Sequence, residues 1–532
     1  MAYYKDLREY LAVLEANGKL VRVRRPINKD TQLSPLVRLQ YRGLPEEKRR
    51  AFLFENVVNS RGHKYDIPVA IGVLAGSADI YSIGMQCQPR EVAERLAQAQ
   101  ANPIPPRVVG SGPVQEEVHL GNSLLEHGGL GEFPVPVATP SFDPAPYITA
   151  PYWVTRDPES GITNVGMYRA MIKSPVRTGL NFSGPGKGGA IHLRKYRQRD
   201  TPMPAAIVVG GPPNLGYVAV SPLPPDTDEL AVAGGIAGEP LELVKCKTVD
   251  LCVPAHAEVV IEGEVDPRLL EPEAPFGESY GFVGPMDMNP FLDVKCITHR
   301  RKPIWLATIS QYPPSESTKM RQLAYQGTML RHLRQVLKLS YVLDVAYYEE
   351  ASSGRMMALK LSKVTQDDVW YTLEAAAKRA PYTKIIIAVD EDVNVHDLGT
   401  VCLAIAMRTQ PCRDYRIESL TAPSLGDYSL EPLDRLQERQ AEGGDMPQAS
   451  RLLINAVMKW PYPPVSLPGK EFMEEAMRIW REENLPEVKL NEPWFGTNLG
   501  FWNDEHERHA RAAVEGDHYR AGSDYEGRRR SI

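Results

Sequence analysis

Hydrophobic spacing predicts an α/β unit at the beginning of the chain. Apolar residues recur at helical spacing from Leu7 to Leu14, which predicts a helix over residues 5–18 that ends at Asn17-Gly18. A proline-rich joint at 102–106 ends this unit, so we assign residues 1–110 to an N-terminal α/β domain. Strands are predicted here over 20–23, 51–57 and 67–72, with a second helix over 89–100.

The pattern changes to short β-rich runs in the middle of the chain. Gly/Pro clusters separate runs at 167–172, 206–209 and 257–263, and the predicted helices at 188–199 and 228–236 are brief. Short strands separated by turn residues are typical of a β-barrel or a β-sandwich. We assign residues 111–312 to this central domain.

A second alternation of helices and strands fills residues 313–465, which we assign to a C-terminal α/β domain. Residues 466–532 form an extension with a helix at 470–484 and a charged end, and we expect it to pack on the core or on a neighbouring subunit. The predicted fold class is therefore mixed α/β. The elements predicted in the C-terminal domain are helices at 316–336, 365–379 and 395–407 and strands at 356–361 and 384–390.

Composition narrows the functional class. The net charge of -6 gives no electrostatic case for nucleic-acid binding. No apolar run approaches the roughly 18 residues of a membrane-spanning helix, and the charged N-terminus is unlike a signal peptide. The six cysteines never form a CxxC pair, which favours a reducing compartment. We expect a soluble cytoplasmic protein without a membrane or nucleic-acid partner.

Four short motifs could carry chemistry, although each also has an ordinary structural explanation. The glycine-rich loop lacks the GK[ST] ending of a nucleotide P-loop, but such a loop before a helix can still place backbone N–H groups near an anion. Taken singly, the Asn, His and Glu of these motifs could equally be turn, core and surface residues. The motifs are Thr163–Arg169 (TNVGMYR), Ser183–His192 (SGPGKGGAIH), Leu241–Cys246 (LELVKC) and Glu271–Gly281 (EPEAPFGESYG).

The last motif is the most informative. Pro275 and Gly277 exclude a regular helix, so Glu273 and Glu278 are held on a stiff loop. Two carboxylates on one loop could share an arginine, and one could stay ionised while the other delivers a proton. A structural ion-pair network is an equally good explanation of the loop taken alone.

Together and in this order, the four motifs resemble the UbiD family of prenylated-FMN-dependent decarboxylases. The resemblance runs from the N-terminal helix to about residue 465. It implies a divalent metal, usually Mn²⁺, held with the cofactor phosphate by Asn164, His192 and Glu242, a donor set that suits this ion. It also implies a K⁺ site of backbone carbonyls near Ala231–Gly234, and a central split β-barrel that binds the flavin.

The same resemblance assigns catalytic and cofactor roles. Arg169 would hold the substrate carboxylate between Glu273 and Glu278, and Glu278 would protonate the carbon that loses CO₂. In the family the substrate reacts through a covalent adduct with the prenylated flavin, which carries the difficult chemistry. The expected cofactor-binding residues are Asn164, Val165, Gly166, Met167, Tyr168, Arg169, Ile191, His192, Glu242 and Arg379.

The implied reaction is reversible non-oxidative decarboxylation of an aromatic, heteroaromatic or α,β-unsaturated acid. An aryl-CoA thioester is one of the substrates that stay open. Two alternatives stay open: a carboxylase in the physiological direction, and a non-catalytic subunit of a larger (de)carboxylase. The resemblance also implies a flavin prenyltransferase as cofactor supplier and a homodimer or hexamer formed through the C-terminal domain. The active site is expected between the central and C-terminal domains.

Overall fold

The structure is a computed structural model, and it describes residues 2–182, 184, 186–224, 226–420, 427–430 and 449–531. Its N-terminal unit is a small sheet flanked by helices. Its helices are α1 (Leu7–Ala16), α2 (Leu33–Gly43), α3 (Ala78–Met85) and α4 (Val92–Ala101). Its strands are β1 (Leu20–Val23), β2 (Ile27–Asn28), β3 (Ala51–Phe54), β4 (Val57–Val58), β5 (Lys64–Tyr65) and β6 (Val69–Ile71).

The central unit is built on a nine-stranded, mainly antiparallel sheet that curves as a half-barrel. Its elements run from β7 (Arg107–Val108) through β8 (Glu117–Leu120), α5 (Asn122–Glu126), β9 (Tyr147–Ile148), β10 (Tyr152–Arg156), β11 (Thr163–Met167), β12 (Ala170–Ser174), β13 (Arg177–Gly179), α6 (Gly188–Gln198), β14 (Met203–Val209), α7 (Pro213–Val220) and α8 (Glu229–Ala237) to β15 (Glu242–Lys245). They continue with β16 (Cys252–Pro254), β17 (Val259–Val265), β18 (Glu271–Glu273), β19 (Phe276–Gly277), β20 (Val283–Gly284), β21 (Asp287–Asn289), β22 (Phe291–His299) and β23 (Trp305–Ala307). The order in the large sheet is β11-β10-β14-β17-β22-β13-β12-β9, and β8 pairs with β22.

The C-terminal unit is a five-stranded sheet of order β24-β25-β26-β28-β27, in which the three central strands are parallel. Its elements are α9 (Glu316–Arg331), β24 (Val342–Tyr347), β25 (Met356–Leu361), α10 (Gln366–Arg379), β26 (Ile385–Asp390), α11 (Leu398–Arg408), α12 (Pro411–Asp414), β27 (Tyr415–Ser419) and β28 (Ser450–Ala456). The extension adds α13 (Lys470–Glu482), α14 (Asp504–Val514) and α15 (Arg520–Glu526).

The predicted mixed α/β class is confirmed, and the long periodic helices lie close to where the spacing places them. The strand predicted over 167–172 is interrupted in the structure, because β11 ends before Tyr168 and β12 begins after Arg169. This break turns Arg169 out of the ladder. Among the described residues, no helix combines the length and apolar character needed to cross a membrane.

The N-terminal and central units share one hydrophobic core. Strand β23, from the end of the central segment, pairs in parallel with β6 and completes the N-terminal sheet. A single cluster of buried side chains runs from Tyr3 to Ala324, whereas the two faces of the C-terminal sheet have separate clusters. Helix α9 connects the shared core to a core of the C-terminal unit. Met320 of this helix packs in the shared core, and Leu333, just after the end of the helix, packs in the C-terminal core. The chain limits predicted for the first two domains therefore do not separate two cores.

A buried carboxylate fixes the beginning of α9. Glu316 is fully buried, and its two oxygens accept backbone N–H groups from Gly72, Leu74, Ala75 and Ile309 at 2.8–3.4 Å. Burial raises the pKa of this carboxyl to about 7. One side chain thus connects the N-terminal sheet, β23 and the helix that leads into the C-terminal unit.

We expect Glu316→Gln to destabilise the fold. Each orientation of the amide would turn its NH₂ group toward backbone N–H donors. Each donor left without an acceptor lowers the stability of the fold by roughly 1–3 kcal/mol. The free energy of the first unfolding transition, measured in urea at pH 8, should therefore fall by about 2 kcal/mol or more. Glu483→Gln on the exposed surface is the control, and equal stability of the two variants would contradict the connecting role of Glu316.

Candidate active site

Strands β10 and β11 and helix α6 bring Asn164 and His192 together. In the ladder between β10 and β11, Thr155 lies opposite Asn164. The Thr155 hydroxyl also hydrogen-bonds to Nδ1 of His192 at 2.9 Å, and all three side chains are buried. Because Nδ1 is bonded in this way, Nε2 of His192 is oriented as the coordinating nitrogen.

Three glycines allow this close packing. A Cβ on Gly188 would lie 1.9 Å from Oδ1 of Asn164, and a Cβ on Gly166 would lie 2.2 Å from the ring of Tyr168. A Cβ on Gly189 would meet the ring of Phe182 at 2.5 Å. The TNVGMYR and glycine-rich motifs are therefore parts of one packed unit; Ser183 and Pro185 of the latter lie outside the described residues.

Helix α6 begins at this unit. Its first residue is Gly188, and the N-cap residue Lys187 makes no side-chain capping bond. The first N–H groups of a helix have no carbonyl partner within it, and the helix dipole adds positive charge at that end. The beginning of α6, beside Asn164, is thus suited to bind an anion such as a phosphate.

An acid that the sequence patterns missed contacts the main chain next to Asn164. Glu229, the first residue of α8, is buried, and its Oε2 accepts the backbone N–H of Val165 at 3.1 Å. Burial raises the pKa of the Glu229 carboxyl to about 8. In the sequence this residue looks like an ordinary acid in the first turn of an apolar helix, so no pattern distinguished it.

Glu242, the acid that the resemblance implied, has other partners. Its carboxylate lies 2.7 Å from Nε2 of His256 and 2.6 Å from Nη2 of Arg107, and these two groups hold its pKa below the ordinary value. It is partly exposed on the three-stranded sheet β16-β15-β7. The assignment of Glu242 as a metal ligand stays a prediction, and Glu229 is a second acid to consider, because its carboxylate contacts the main chain next to Asn164.

The potassium site inferred near Ala231–Gly234 stays a prediction. These residues lie inside α8, where carbonyl oxygens are engaged. The carbonyl of Ala231 accepts from the N–H of Ile104, that of Ala233 from Asn214 Nδ2, and that of Gly234 from the N–H of Gly238. A cation at this turn would therefore have to use the second lone pair of carbonyl oxygens that already accept a hydrogen bond.

The donors that remain fit a divalent metal and an anionic cofactor. Burial lowers the pKa of the His192 imidazole to about 4, so the ring is neutral and can coordinate at neutral pH. Nδ2 of Asn164 is buried without a hydrogen-bond partner among the described residues. One imidazole, one amide oxygen and one carboxylate suit Mn²⁺ or Mg²⁺, and the unsatisfied Nδ2 requires an acceptor from a bound group.

Arg169 lies between two carboxylates, as the resemblance implied. Its Nε is 3.1 Å from Oε1 of Glu273, and its Nη1 pairs with Oε1 of Glu278. Glu273 is fully buried and also accepts from Nδ2 of Asn289 at 2.9 Å. The guanidinium lies over the ring of Phe276 at 5.1 Å. The side chain of Glu278 is 15% exposed, so it is the more accessible acid of this pair.

Two small hairpins hold the acidic loop in shape. Strand β18 pairs with β21 on the Glu273 side, and β19 pairs with β20 on the Glu278 side. Gly281 closes the second hairpin at φ +101°, and its N–H donates to the carbonyl of Glu278. Oδ1 of Asp143 accepts the N–H of Gly277 at 3.0 Å. The two acids are thus held by main-chain bonds at the loop rather than by Arg169 alone.

A cleft of about 880 Å³ lies beyond the tip of this loop. Tyr280 and Phe282 form one side, and residues of β25, β27 and β28 in the C-terminal unit form the other. Tyr428 stacks obliquely on both aromatic rings at 5.3–5.7 Å. Arg379 of α10 reaches the central unit, where its Nη2 donates to the carbonyl of Pro222. The cleft therefore lies between the central and C-terminal units.

Models of three protein-family domains match most of the chain. The N-terminal, Rift-related and C-terminal domains of 3-octaprenyl-4-hydroxybenzoate carboxy-lyase (UbiD) match residues 11–100, 107–313 and 320–456. An uncharacterized protein of Aquifex aeolicus is 32% identical over 92% of this chain and 98% of its own length. Another uncharacterized protein, from Synechocystis sp., is 29% identical over 92% of this chain and 98% of its own.

Solved structures show the same architecture. An evolved dimeric form of the UbiD-class enzyme HmfF from Pelotomaculum thermopropionicum, in complex with prFMN, is 28% identical with a TM-score of 0.75, over 89% of this chain and 100% of that one. The closed form of vanillic acid decarboxylase from Sedimentibacter hydroxybenzoicus is 26% identical with a TM-score of 0.76, over 91% and 100% of the two chains.

The packing of Gly188 generates a prediction about metal binding. In Gly188→Ala the added methyl group would displace the Asn164 side chain, so we expect the Kd for Mn²⁺ to rise about tenfold or more, a loss of about 1.4 kcal/mol. Calorimetric titration of the full chain measures this change. Gly186→Ala is the matched control, since its Cβ would meet nothing within 4 Å. Equal Mn²⁺ affinity in both variants would exclude Asn164 as a ligand.

Proposed function

The chain belongs to the UbiD family of carboxy-lyases, and from this premise we propose that it catalyses reversible, non-oxidative decarboxylation of an aromatic, heteroaromatic or α,β-unsaturated carboxylic acid with prenylated FMN. The observation that carries the proposal is the Arg169 guanidinium, which pairs with two carboxylates of the loop whose tip, at Tyr280, lines a cleft. A guanidinium is planar and has five N–H donors, so it can bind a substrate carboxylate while it orients both acids.

The two acids differ in access, and this difference assigns their roles. Glu273 is fully buried and bonded to Asn289, so it serves to hold Arg169 in place. Glu278 ends a hairpin beside the cleft, and it would deliver a proton to the carbon that loses CO₂. In the reverse direction the same carboxylate would remove that proton.

Asn164, His192 and Glu229 would hold a divalent metal, with Glu229 in the position that the sequence assigned to Glu242. The N–H groups at the beginning of α6 and the amide of Asn164 would bind the cofactor phosphate. Bound prenylated FMN would supply the electron sink that decarboxylation requires. Residues 164–169 connect the metal site to Arg169 within five residues, which brings cofactor and substrate carboxylate near each other.

The aromatic side chains at the cleft favour a flat substrate. Tyr280, Phe282 and Tyr428 present three rings at one wall, and stacking on such rings stabilises planar ligands. A relative described as a vanillic acid decarboxylase agrees with an aromatic acid. The volume of about 880 Å³ would also accept a bulky acyl group such as an aryl-CoA thioester.

Two other functions were open at the level of the sequence. A carboxylase differs from a decarboxylase only in the direction favoured by CO₂ and substrate concentrations. A non-catalytic subunit has no need for a buried Arg169 with both carboxylates in place, and the cost of burying these charges argues against that function. In either direction the enzyme depends on a flavin prenyltransferase for its cofactor.

The extension supports self-association. Helix α13 has no buried residue, although Phe472 and Trp480 lie two turns apart on one face. An isolated helix of this length is marginal in water, so its apolar face requires a partner surface. Exposed apolar residues on α11, Leu403 and Met407, offer such a surface on the C-terminal unit. We assign the partner as a second copy of the chain, in a homodimer or a hexamer of such pairs.

We expect Glu278→Gln to fold and to bind cofactor, but to lose decarboxylation by a factor of about 10²–10⁴, because the amide cannot donate a carboxyl proton. Release of CO₂ from a panel of aromatic acids, with cofactor absorbance recorded in parallel, measures both properties. Glu271→Gln on the same loop is the control, because its carboxylate pairs with Lys173 and Arg177. Full turnover by Glu278→Gln would remove Glu278 from this role.

We expect light scattering after size exclusion to give a mass of at least twice the 59.3 kDa of one chain. The double variant Phe472→Ser/Trp480→Ser should shift the mass toward one chain, because it removes the apolar face of α13. Tyr519→Ser, an exposed change in the same extension, should not. A monomeric wild type, or a double variant that assembles like the wild type, would contradict the assignment.

A further inference from the structure

Three histidines and one glutamate converge on the far edge of the central sheet, in a cluster that the proposed reaction does not use. His119 on β8 and His299 at the end of β22 lie on paired strands, where the register places Glu117 opposite His299 and His119 opposite Ile297. Alternation along the strands therefore puts both imidazoles on one face. Their ring centroids are 4.9 Å apart. His127, after α5, stacks on His119 at 3.8 Å, and Glu132 follows five residues later.

The two carboxylate oxygens of Glu132 each face one of the two buried imidazoles. Oε2 of Glu132 lies 3.1 Å from Nδ1 of His119, and Oε1 lies 3.4 Å from Nε2 of His299. Ligand atoms of His119, His127 and Glu132 all lie within 4.8 Å of one another. His127 is exposed, so its ring can turn toward the other ligands at little cost. The cluster thus offers three nitrogens and one carboxylate.

His299 provides the decisive observation. Its Nδ1 bonds to the backbone carbonyl of Arg300 at 2.7 Å, which fixes the proton on Nδ1 and leaves a lone pair on Nε2. This Nε2 is buried and has no hydrogen-bond partner among the described residues, and it points at an oxygen of Glu132. Two lone pairs facing each other repel, so a cation between them is required: a proton or a metal ion.

The turn that carries Glu132 is held in place before any ligand binds. Gly128 and Gly129 both have positive φ, at +87° and +58°. A Cβ on Gly129 would lie 2.2 Å from the carbonyl oxygen of Pro175, and the N–H of Leu130 donates to that same oxygen at 2.8 Å. Substitution of either glycine would strain the turn. The carboxylate is therefore positioned by the main chain, as in sites that bind with specificity.

We propose that His119, His127, Glu132 and His299 form a zinc site that holds residues 117–132 against the end of β22. Imidazoles with one carboxylate suit Zn²⁺, which takes four ligands in a tetrahedron at about 2.0–2.2 Å. The Nδ1–H bond from His299 to Arg300 is the kind of outer contact that orients a coordinating histidine. With four protein ligands the site is closed, so its role is structural. It differs from the Asn164–His192–Glu229 set, whose mainly oxygen donors suit Mn²⁺.

Cobalt titration of the chelator-stripped full chain tests this proposal, since Co²⁺ replaces Zn²⁺ and absorbs strongly in the visible only when four-coordinate. We expect one equivalent to give this absorption, Zn²⁺ to displace it, and Zn²⁺ to raise Tm. His299→Gln and the exposed change His127→Gln should each weaken Co²⁺ binding about tenfold or more, because each removes one ligand.

Two controls separate this site from the proposed active site. Asn164→Ala should keep the four-coordinate absorption although it loses Mn²⁺, and His518→Gln, on an exposed histidine in the extension, should behave as the wild type. Circular dichroism confirms that each variant is folded. Absence of the absorption in the wild type, or unchanged Co²⁺ affinity in both His127→Gln and His299→Gln, would overturn the proposal and leave a proton as the bridging cation.

Discussion

The buried guanidinium of Arg169 is the interaction on which the arrangement of the site depends. A guanidinium in a water-poor position is stable only with paired carboxylates, and removal of one partner of such a group costs about 3–5 kcal/mol. The break between β11 and β12 turns Arg169 toward Glu273, and the hairpin of β19 and β20 brings Glu278 to its other side. The loop from 271 to 284 is thus folded around one positive charge.

This loop is supported by a frame that the chain builds from distant segments. The N-terminal and central units share a core, and β23 completes the N-terminal sheet. Glu316 ties the beginning of α9 to this frame, whereas the residues after α9 pack in the separate core of the C-terminal unit. The cleft lies between the unit that carries Arg169 and the C-terminal unit, which has its own core. A hinge at α9 is consistent with closure over a substrate.

Long periodic segments and stiff motifs could be predicted from the sequence, and residues placed by tertiary contacts could not. Helices such as α10 and strands such as β26 follow from spacing, because one face of each is buried. The Arg169 network followed from the resemblance, since Pro275 and Gly277 leave the loop few conformations. The choice between Glu229 and Glu242 as a ligand could not be weighed from the sequence, because it depends on what folds against each side chain: Val165 for the first, Arg107 and His256 for the second. The cluster around Glu132 needs the register of β8 and β22, which no local pattern reports.

The most direct test of the account compares cofactor retention in Glu229→Gln and Glu242→Gln with that of the wild type. Each protein is co-expressed with a flavin prenyltransferase and purified anaerobically, and the released cofactor and metal are measured by mass spectrometry and elemental analysis. The account predicts prenylated FMN and one divalent ion per chain in the wild type and in Glu242→Gln, and loss of both in a folded Glu229→Gln. A folded wild type without flavin or metal would contradict the proposed function, and loss in Glu242→Gln with retention in Glu229→Gln would contradict the assigned site.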